Sequence, residues 1–251
     1  MNTKSYQGCL ALLLLAVLAG GCAAGPKRPM SKAAAASVTA TQPADQLEVK
    51  SNLPAAITNA AAAFEGEGWQ PMFDGHSLKG WEETTQFGGR GPIECRSGVI
   101  LLNMGDPFTG INWTNPFPKM NYEIALDAMR VMGADFFCGL TVPVGDSFCS
   151  LIVGGWGGTL VGISSLDGMD ASENETTKFV NFEEGRWYRI RLRVTPKKIE
   201  AWIDKDRLVN VDITEKKISL RPGEIEYSKP MGIASYQTMT ALREIMVRRI
   251  E

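Results

Sequence analysis

Four carboxylate side chains lie close together in one glycine-containing stretch of the chain, at Asp167, Asp170, Glu173 and Glu175. Clustered carboxylates can coordinate calcium or another divalent cation, or act as general acids and bases. We interpret Asp170 and Glu173 as candidate catalytic groups and Glu175 as a candidate substrate-binding group. Asp167 and Asp170 are candidate metal ligands. The spacing is not that of an EF-hand, so the alternative is a solvated acidic loop.

A tryptophan surrounded by glycines precedes this acidic stretch. Trp156 lies in the run 154–158, where glycines let a ligand or another backbone approach closely. Its flat indole suits the apolar C–H face of a pyranose ring, so Trp156 is predicted to bind a sugar. Asp135 and Asp146, at a neighbouring predicted hairpin, complete the candidate site. Asp135 is interpreted as catalytic and Asp146 as substrate-binding.

Composition excludes several other functions. His76 is the only histidine, so a zinc site with several histidines is excluded and a histidine-dependent triad would rest on this residue alone. The formal net charge is −2, and the Lys and Arg residues are dispersed along the chain. A nucleic-acid partner is therefore not expected.

The first 22 residues predict export. Lys4 precedes an apolar run, Leu10 to Gly20, that is too short to span a bilayer and is typical of a signal peptide. The small residues before Cys22 resemble a bacterial lipobox, with Ala19 where leucine is usual. Cys22 is therefore predicted to carry a lipid that anchors the protein to a membrane, periplasmic or at the cell surface. The alternative is an ordinary signal peptide.

Residues 23–67 form a low-complexity segment rich in Ala, Thr, Pro and Ser. Its apolar bulk is too small for a core, so it predicts a tether. Residues 68–251 change to short runs of alternating apolar and polar residues bounded by glycine and proline. This pattern predicts one all-β domain.

The clearest alternation spans Gly185 to Asp212 and predicts a hairpin. The expected cross-strand pairs are Val194 with Ile199, Leu192 with Ala201, Ile190 with Ile203, Arg193 with Glu200, Arg191 with Trp202, and Arg189 with Asp204. The outer face, with tryptophans beside arginines, is interpreted as a solvated sheet face. A sugar-stacking platform is the alternative.

A second predicted hairpin carries Cys138 and Cys149 on its core-facing side. An exported protein could join them in a disulfide, but cross-strand bridges demand tight geometry. The pattern favours small buried thiols.

The opening of the domain resembles a known family. Phe73-Asp74-Gly75, Leu78 and Gly80-Trp81 match the signature F-D-G-x-x-L-x-G-W of the 3-keto-disaccharide hydrolase domain family. The resemblance covers about residues 68–251. It implies a concanavalin-like jelly-roll sandwich of two antiparallel sheets.

The same resemblance implies hydrolysis or elimination of 3-keto-glycosides, with a base and an enolate stabiliser, often a metal. One strand departs from the family pattern, because Asp135 to Leu140 lacks the arginine of N-S-G-I-x-x-R. Two functions therefore remain: a hydrolase or lyase acting on keto-sugars or related glycans, and a non-catalytic carbohydrate-binding or scaffold domain on a lipid tether.

Overall fold

The computed structural model describes residues 61–251, which are nearly all β. The strands are β1 Gln70–Pro71, β2 Trp81–Glu83, β3 Ile93–Arg96, β4 Val99–Leu102, β5 Phe108–Trp113, β6 Tyr122–Gly133, β7 Cys138–Val144, β8 Ser147–Gly154, β9 Leu160–Ser164, β10 Lys178–Phe179, β11 Trp187–Val194, β12 Lys198–Ile203, β13 Asp206–Asp212, β14 Gly232–Tyr236 and β15 Thr238–Arg249. A short helical turn spans Gly155–Gly158, and a 3-10 helix spans Glu224–Ser228.

The strands form two antiparallel sheets. The large sheet has eight strands, in the order β13-β12-β11-β6-β15-β4-β3, with β1 paired to β15. The small sheet has seven strands, in the order β10-β9-β8-β7-β14-β5-β2. Their inner faces supply one main hydrophobic core, as expected of a sandwich. This confirms the predicted fold class.

The strand pair β11–β12 has the register predicted from the sequence. Val194 lies opposite Ile199, Leu192 opposite Ala201, and Arg191 opposite Trp202. The inward-facing side chains are buried and the arginines lie outside, since a one-residue slip would bury the charges instead. The turn between β12 and β13 is short, because Ile203 pairs with Asp206 and only Asp204 and Lys205 lie between them.

Cys138 and Cys149 are buried in the core and unbonded, which confirms the interpretation as thiols. In the β7–β8 register, Cys138 lies opposite Val153 and Cys149 opposite Val142. The two sulfurs therefore do not face each other across the hairpin. Burial raises the pKa of each thiol to about 12.

The outer face of the large sheet is less solvated than the alternation suggests. Glu123 of β6 is fully buried and bonds Arg193 of β11 and Arg248 of β15. Asp127, 4% exposed, bonds Arg189 and Arg243 in the same way. Two carboxylates of the central strand are thus each held between arginines of the flanking strands.

This arrangement corrects the predicted charge pair of Arg189 with Asp204, whereas Arg193 and Glu200 do lie opposite each other. The Arg189 guanidinium bonds Asp127, and only the Arg189 backbone N–H reaches the Asp204 carboxylate. Arg193 lies 3.6 Å from Glu200 but makes its short contact with Glu123. The period-2 pattern identified the outward face of β11 and β12 correctly. It could not show that β6 lies on the other side of β11.

The end of the predicted tether lies on this outer face. The carbonyl groups of Ala62 and Ala63 accept hydrogen bonds from Arg189, and the Phe64 ring lies 3.9 Å from the same guanidinium. The predicted signal peptide with Cys22, and the tether up to residue 60, lie outside the described residues. No helix between residues 61 and 251 is long and apolar enough to cross a membrane.

Candidate functional site

A cavity of about 460 Å³ opens on the outer face of the small sheet. Its floor is aromatic: Phe108 of β5, Phe136 before β7 and Tyr236 of β14 contact one another, with Phe108 and Tyr236 ring centroids 5.0 Å apart. The polar and rim residues are Asp135, Trp156, Ser164, Arg221 and Glu224. We call this cavity the aromatic pocket.

Trp156 stands at the pocket with 42% of its surface exposed. Its backbone is left-handed, with φ 49° and ψ 56°, a conformation that is uncommon and costly for a bulky residue. Such a conformation persists only where the surroundings fix it. Asp135 helps to do so, because its carboxylate accepts the N–H of Gly157 at 3.1 Å and the N–H of Phe136 at 2.8 Å.

The side chain of Arg130 also holds the turn that carries Trp156. It is 6% exposed and donates from one nitrogen to the carbonyls of Gly158 at 2.8 Å and Gly154 at 3.3 Å. Its burial lowers the pKa of Arg130 from the ordinary value. Sequence reasoning missed this residue, although a charged side chain in a predicted strand rich in apolar residues was the available signal.

Asp170 reaches the pocket through Arg221. Its carboxylate accepts the Ser164 hydroxyl at 2.5 Å, the Ala171 N–H at 2.7 Å and the Arg221 guanidinium at 2.6 Å. The Asp170 side chain is 14% exposed. Arg221 in turn lies 5.7 Å from the Trp156 ring. Asp170 therefore positions a cation beside the tryptophan and has its own lone pairs largely occupied.

Asp167 and Glu175 lie outside the pocket lining and share Lys216 as a partner, at 3.1 and 2.8 Å. The pKa of Asp167 is lowered, chiefly by a hydrogen bond from the Lys217 backbone N–H, and that of Glu175 chiefly by Lys216. Asp167 and Asp170 thus face different cations and do not converge. Calcium needs six to eight oxygen ligands, so this donor set does not fit it. Within residues 61–251 no cluster of three or more potential metal ligands occurs.

The other two predicted site residues lie elsewhere. Glu173 is exposed and does not line the pocket. Asp146 lies in the β7–β8 turn, almost fully exposed and paired with Lys119 at 2.8 Å. That turn is at the opposite end of β8 from Trp156, because β8 runs from Ser147 to Gly154. The structure therefore brings together Asp135, Trp156 and Asp170 out of the predicted set.

Most pocket residues were not anticipated, among them Phe108, Tyr236, Arg221 and Glu224. These four come from two strands, from the segment before the 3-10 helix and from the first residue of that helix. No local spacing connects them, so the sequence offered no signal beyond the residue types themselves.

The opening signature has a structural role. The Asp74 carboxylate accepts the backbone N–H groups of His76 and Ser77 and the Ser77 hydroxyl. Trp81 is buried and donates its indole N–H to the carbonyl of Met72. The motif closes a turn, and its residues lie outside the lining of the aromatic pocket.

Two antiparallel sheets packed face to face, with an aromatic pocket on one outer face, define the protein as a concanavalin-like jelly roll. The chain belongs to the family described as the 3-keto-alpha-glucoside-1,2-lyase-like domain, whose model matches residues 68–248. The match confirms the family expected from the opening signature. It places the protein among carbohydrate-related jelly-roll domains.

Solved structures with the same fold have low identity to this chain. The exoplasmic/lumenal domain of VIP36, in a Ca²⁺/Man3GlcNAc-bound form, has a TM-score of 0.50 at 8% identity, covering 74% of this chain and 91% of that one. A Bacillus licheniformis beta-glucanase has a TM-score of 0.47 at 10% identity, covering 75% and 100%. The carbohydrate-binding module CBM66 from Bacillus subtilis has a TM-score of 0.42 at 10% identity, covering 67% and 95%. No curated protein matches the chain.

Proposed function

We propose that the domain binds a glycan in the aromatic pocket. The observation that carries the proposal is the half-exposed Trp156, held in a costly backbone conformation at a pocket with an aromatic floor. A sugar ring would pack its C–H face on Trp156, and the Arg221 guanidinium would bond its hydroxyls. The Tyr236 hydroxyl has no hydrogen bond to residues 61–251, so it is free to bond the ligand.

The size and preorganisation of the pocket support binding. A volume of about 460 Å³ lies within the range of small-molecule sites. Arg130 and Asp135 hold the Trp156 turn in place before any ligand arrives. Little ordering free energy would then oppose binding.

The second candidate function is cleavage of a 3-keto-glycoside, suggested by the family and by Glu224. Glu224 lines the pocket and makes no ion pair with the described residues; its one hydrogen bond is a long one from Gly88 N–H, at 3.4 Å. A 3-keto group acidifies the adjacent C2–H. Glu224 would take that proton and Arg221 would stabilise the enolate oxygen. The enolate would then re-form the 3-keto group and a C1=C2 double bond as the C1–O bond breaks, and protonated Glu224 would return its proton to the departing oxygen. In this scheme Asp170 and Asp135 are positioning residues.

Binding is tested by titrating the protein with neutral oligosaccharides and a 3-keto-glucoside, using tryptophan fluorescence and calorimetry. Trp156→Ala should weaken binding by about tenfold or more, since burying a large apolar side chain is worth about 1.5–3 kcal/mol. Phe179→Ala is the matched control, because Phe179 is an aromatic residue that is 74% exposed and lies outside the pocket lining. No binding to any saccharide, or equal losses in both variants, would refute the proposal.

Catalysis is tested separately by following release of the aglycone from the 3-keto-glucoside. Glu224→Gln should abolish release while the affinity for the substrate changes by less than about threefold. Release that persists in Glu224→Gln would exclude this base. If the wild-type protein binds the keto-sugar without cleaving it, catalysis is excluded and binding is the function that remains.

We also propose that the protein is exported and anchored to a membrane through a lipid on Cys22, with residues 23–67 as a tether. Metabolic labelling with a palmitate analogue should mark the wild-type chain and not Cys22→Ser. Labelling that persists in the variant would refute the anchor.

A further inference from the structure

A second cavity, of about 690 Å³, lies on the outer face of the large sheet, on the other side of the sandwich from the aromatic pocket. We call it the arginine cavity. Its lining includes the arginines Arg189, Arg191 and Arg243, the aromatic residues Phe64, Trp187 and Trp202, and charged side chains described below. The lining of the aromatic pocket contains none of these residues.

The three arginines of this cavity are not equivalent. Arg189 and Arg243 both bond the Asp127 carboxylate. The Arg191 side chain makes no ion pair or hydrogen bond with any residue from 61 to 251. Its guanidinium lies 4.0 Å from the Trp202 ring. Stacking of this kind restricts the guanidinium while leaving its in-plane N–H groups available, so Arg191 presents preoriented donors to an oxyanion.

The charges around Arg191 favour an anion. Lys205, at the turn between β12 and β13, is exposed and also lacks an ion pair within the described residues. Asp127 is shared by two arginines, and Asp204 is paired with Arg186 at 2.7 Å. Glu65 is the one lining carboxylate with no cationic partner there, and it is exposed. Among the charged side chains that line the cavity, the cations Arg191 and Lys205 and the carboxylate Glu65 therefore have no ion-pair partner within the described residues.

The apolar part of the cavity consists of the indole rings of Trp187 and Trp202 and the Phe64 ring, all three partly exposed. Each ring has a guanidinium over it: Arg243 lies 4.0 Å from Trp187, Arg191 4.0 Å from Trp202 and Arg189 3.9 Å from Phe64. Tryptophan rings beside a guanidinium offer apolar area for the C–H face of a pyranose and a charged partner for a substituent on it. A purely inorganic anion would make no contact with the part of these rings that the guanidiniums leave exposed.

We propose that the arginine cavity binds an acidic saccharide. Arg191 and Lys205 hold its carboxylate or sulfate group, and its ring packs against the tryptophan side of the cavity. The site is independent of the aromatic pocket. Carboxylate and sulfate esters share the required oxyanion chemistry, and the binding experiment separates them.

The test titrates full-length protein with four probes: an oligogalacturonate, a sulfated oligosaccharide, a neutral oligosaccharide of the same length and sodium sulfate. At least one acidic saccharide should bind about tenfold or more tightly than the neutral probe, and its affinity should fall as salt rises from about 50 to 300 mM. Sulfate alone should bind more weakly than the acidic saccharide. Equal affinity for sodium sulfate, or no saturable binding of either acidic probe, would overturn the proposal.

Variants locate the site. Arg191→Gln should weaken binding by about tenfold, since a charge-assisted hydrogen bond is lost. Arg207→Gln is the matched control, because Arg207 pairs with Glu200 and does not line the cavity. If Arg191→Gln fails to fold, Lys205→Gln and Glu65→Gln serve instead, as both side chains are exposed. Lys205→Gln should weaken binding and Glu65→Gln should strengthen it.

Trp156→Ala separates the two sites. It should leave binding of the acidic probe unchanged, because Trp156 belongs to the aromatic pocket. Loss of acidic-saccharide binding in Trp156→Ala, with no change in Arg191→Gln, would place the ligand in the aromatic pocket and overturn the second site.

Discussion

The guanidinium of Arg221 bonds the carboxylate of Asp170 at 2.6 Å, although the two residues are 51 positions apart. This contact shows the role of Asp170, which the spacing of the acidic residues did not indicate. Asp170 fixes a cation at the edge of the aromatic pocket, while Asp167 and Glu175 are bound to Lys216 outside the pocket lining. The carboxylate cluster therefore divides into separate ion pairs.

Asp170→Asn should lower the free energy of unfolding by about 1–3 kcal/mol, because a mostly buried carboxylate that accepts three hydrogen bonds is replaced by a neutral amide. Urea denaturation monitored by tryptophan fluorescence measures the change. Glu173→Gln is the control from the same loop: Glu173 is exposed, so its substitution should change stability by less than about 0.5 kcal/mol. Equal effects of the two variants would contradict the role given to Asp170.

Arg193→Ala should cost about 1–3 kcal/mol of folding stability, because Arg193 bonds the fully buried Glu123 and its loss leaves that carboxylate with Arg248 alone. Arg207→Ala, which removes an arginine 48% exposed, should cost less than about 1 kcal/mol. Chemical denaturation of both variants gives the comparison.

Leu192→Ala provides the scale for that experiment. It removes a fully buried side chain from β11 and should cost about 2–5 kcal/mol. If Arg193→Ala and Arg207→Ala are indistinguishable, the contact with Glu123 does not stabilise the fold.

Cys138 and Cys149 should resist alkylation in the folded protein, because both are fully buried and burial raises their pKa to about 12. Peptide mass spectrometry after iodoacetamide treatment at about pH 8 should find Cys95 modified first, since it is only partly buried. Both core thiols should react once denaturant is added. Rapid modification in the native state would show that the β7–β8 hairpin opens.

The Asp74 carboxyl should titrate at about 2, lowered from 3.8 by hydrogen bonds, of which the one from the Ser77 hydroxyl is the largest cause. A depressed carboxyl pKa stabilises the fold above the unfolded value. That contribution should therefore disappear as pH falls from about 3.8 towards 2. NMR titration of the Asp74 carboxyl measures the pKa.

Ser77→Ala tests the cause of that shift. Without the hydroxyl donor, the Asp74 pKa should rise towards 3.8. A pKa that stays near 2 in the variant would show that the backbone N–H groups of His76 and Ser77 suffice.

The sequence by itself determined the sheets, their faces and part of their register. Alternation from Trp187 to Val194 identified the buried side chains, since the side-chain period of a strand is two and any slip would bury arginines. The same reasoning placed Cys138 and Cys149 in the core. The opening signature identified the family. These features are local, so short segments of sequence contain them.

Only the tertiary structure decided which side chains meet across elements. The aromatic pocket is lined by side chains from four separate segments: Phe108, Phe136, Tyr236 and Arg221. Glu123 and Asp127 each bond arginines of the two neighbouring strands. Periodicity shows which face a residue takes, but it carries no information about which strand lies beside it or which loop covers it. Ion-pair partners and pocket walls depend on that long-range order, because the close contacts that form them appear only when distant segments pack together.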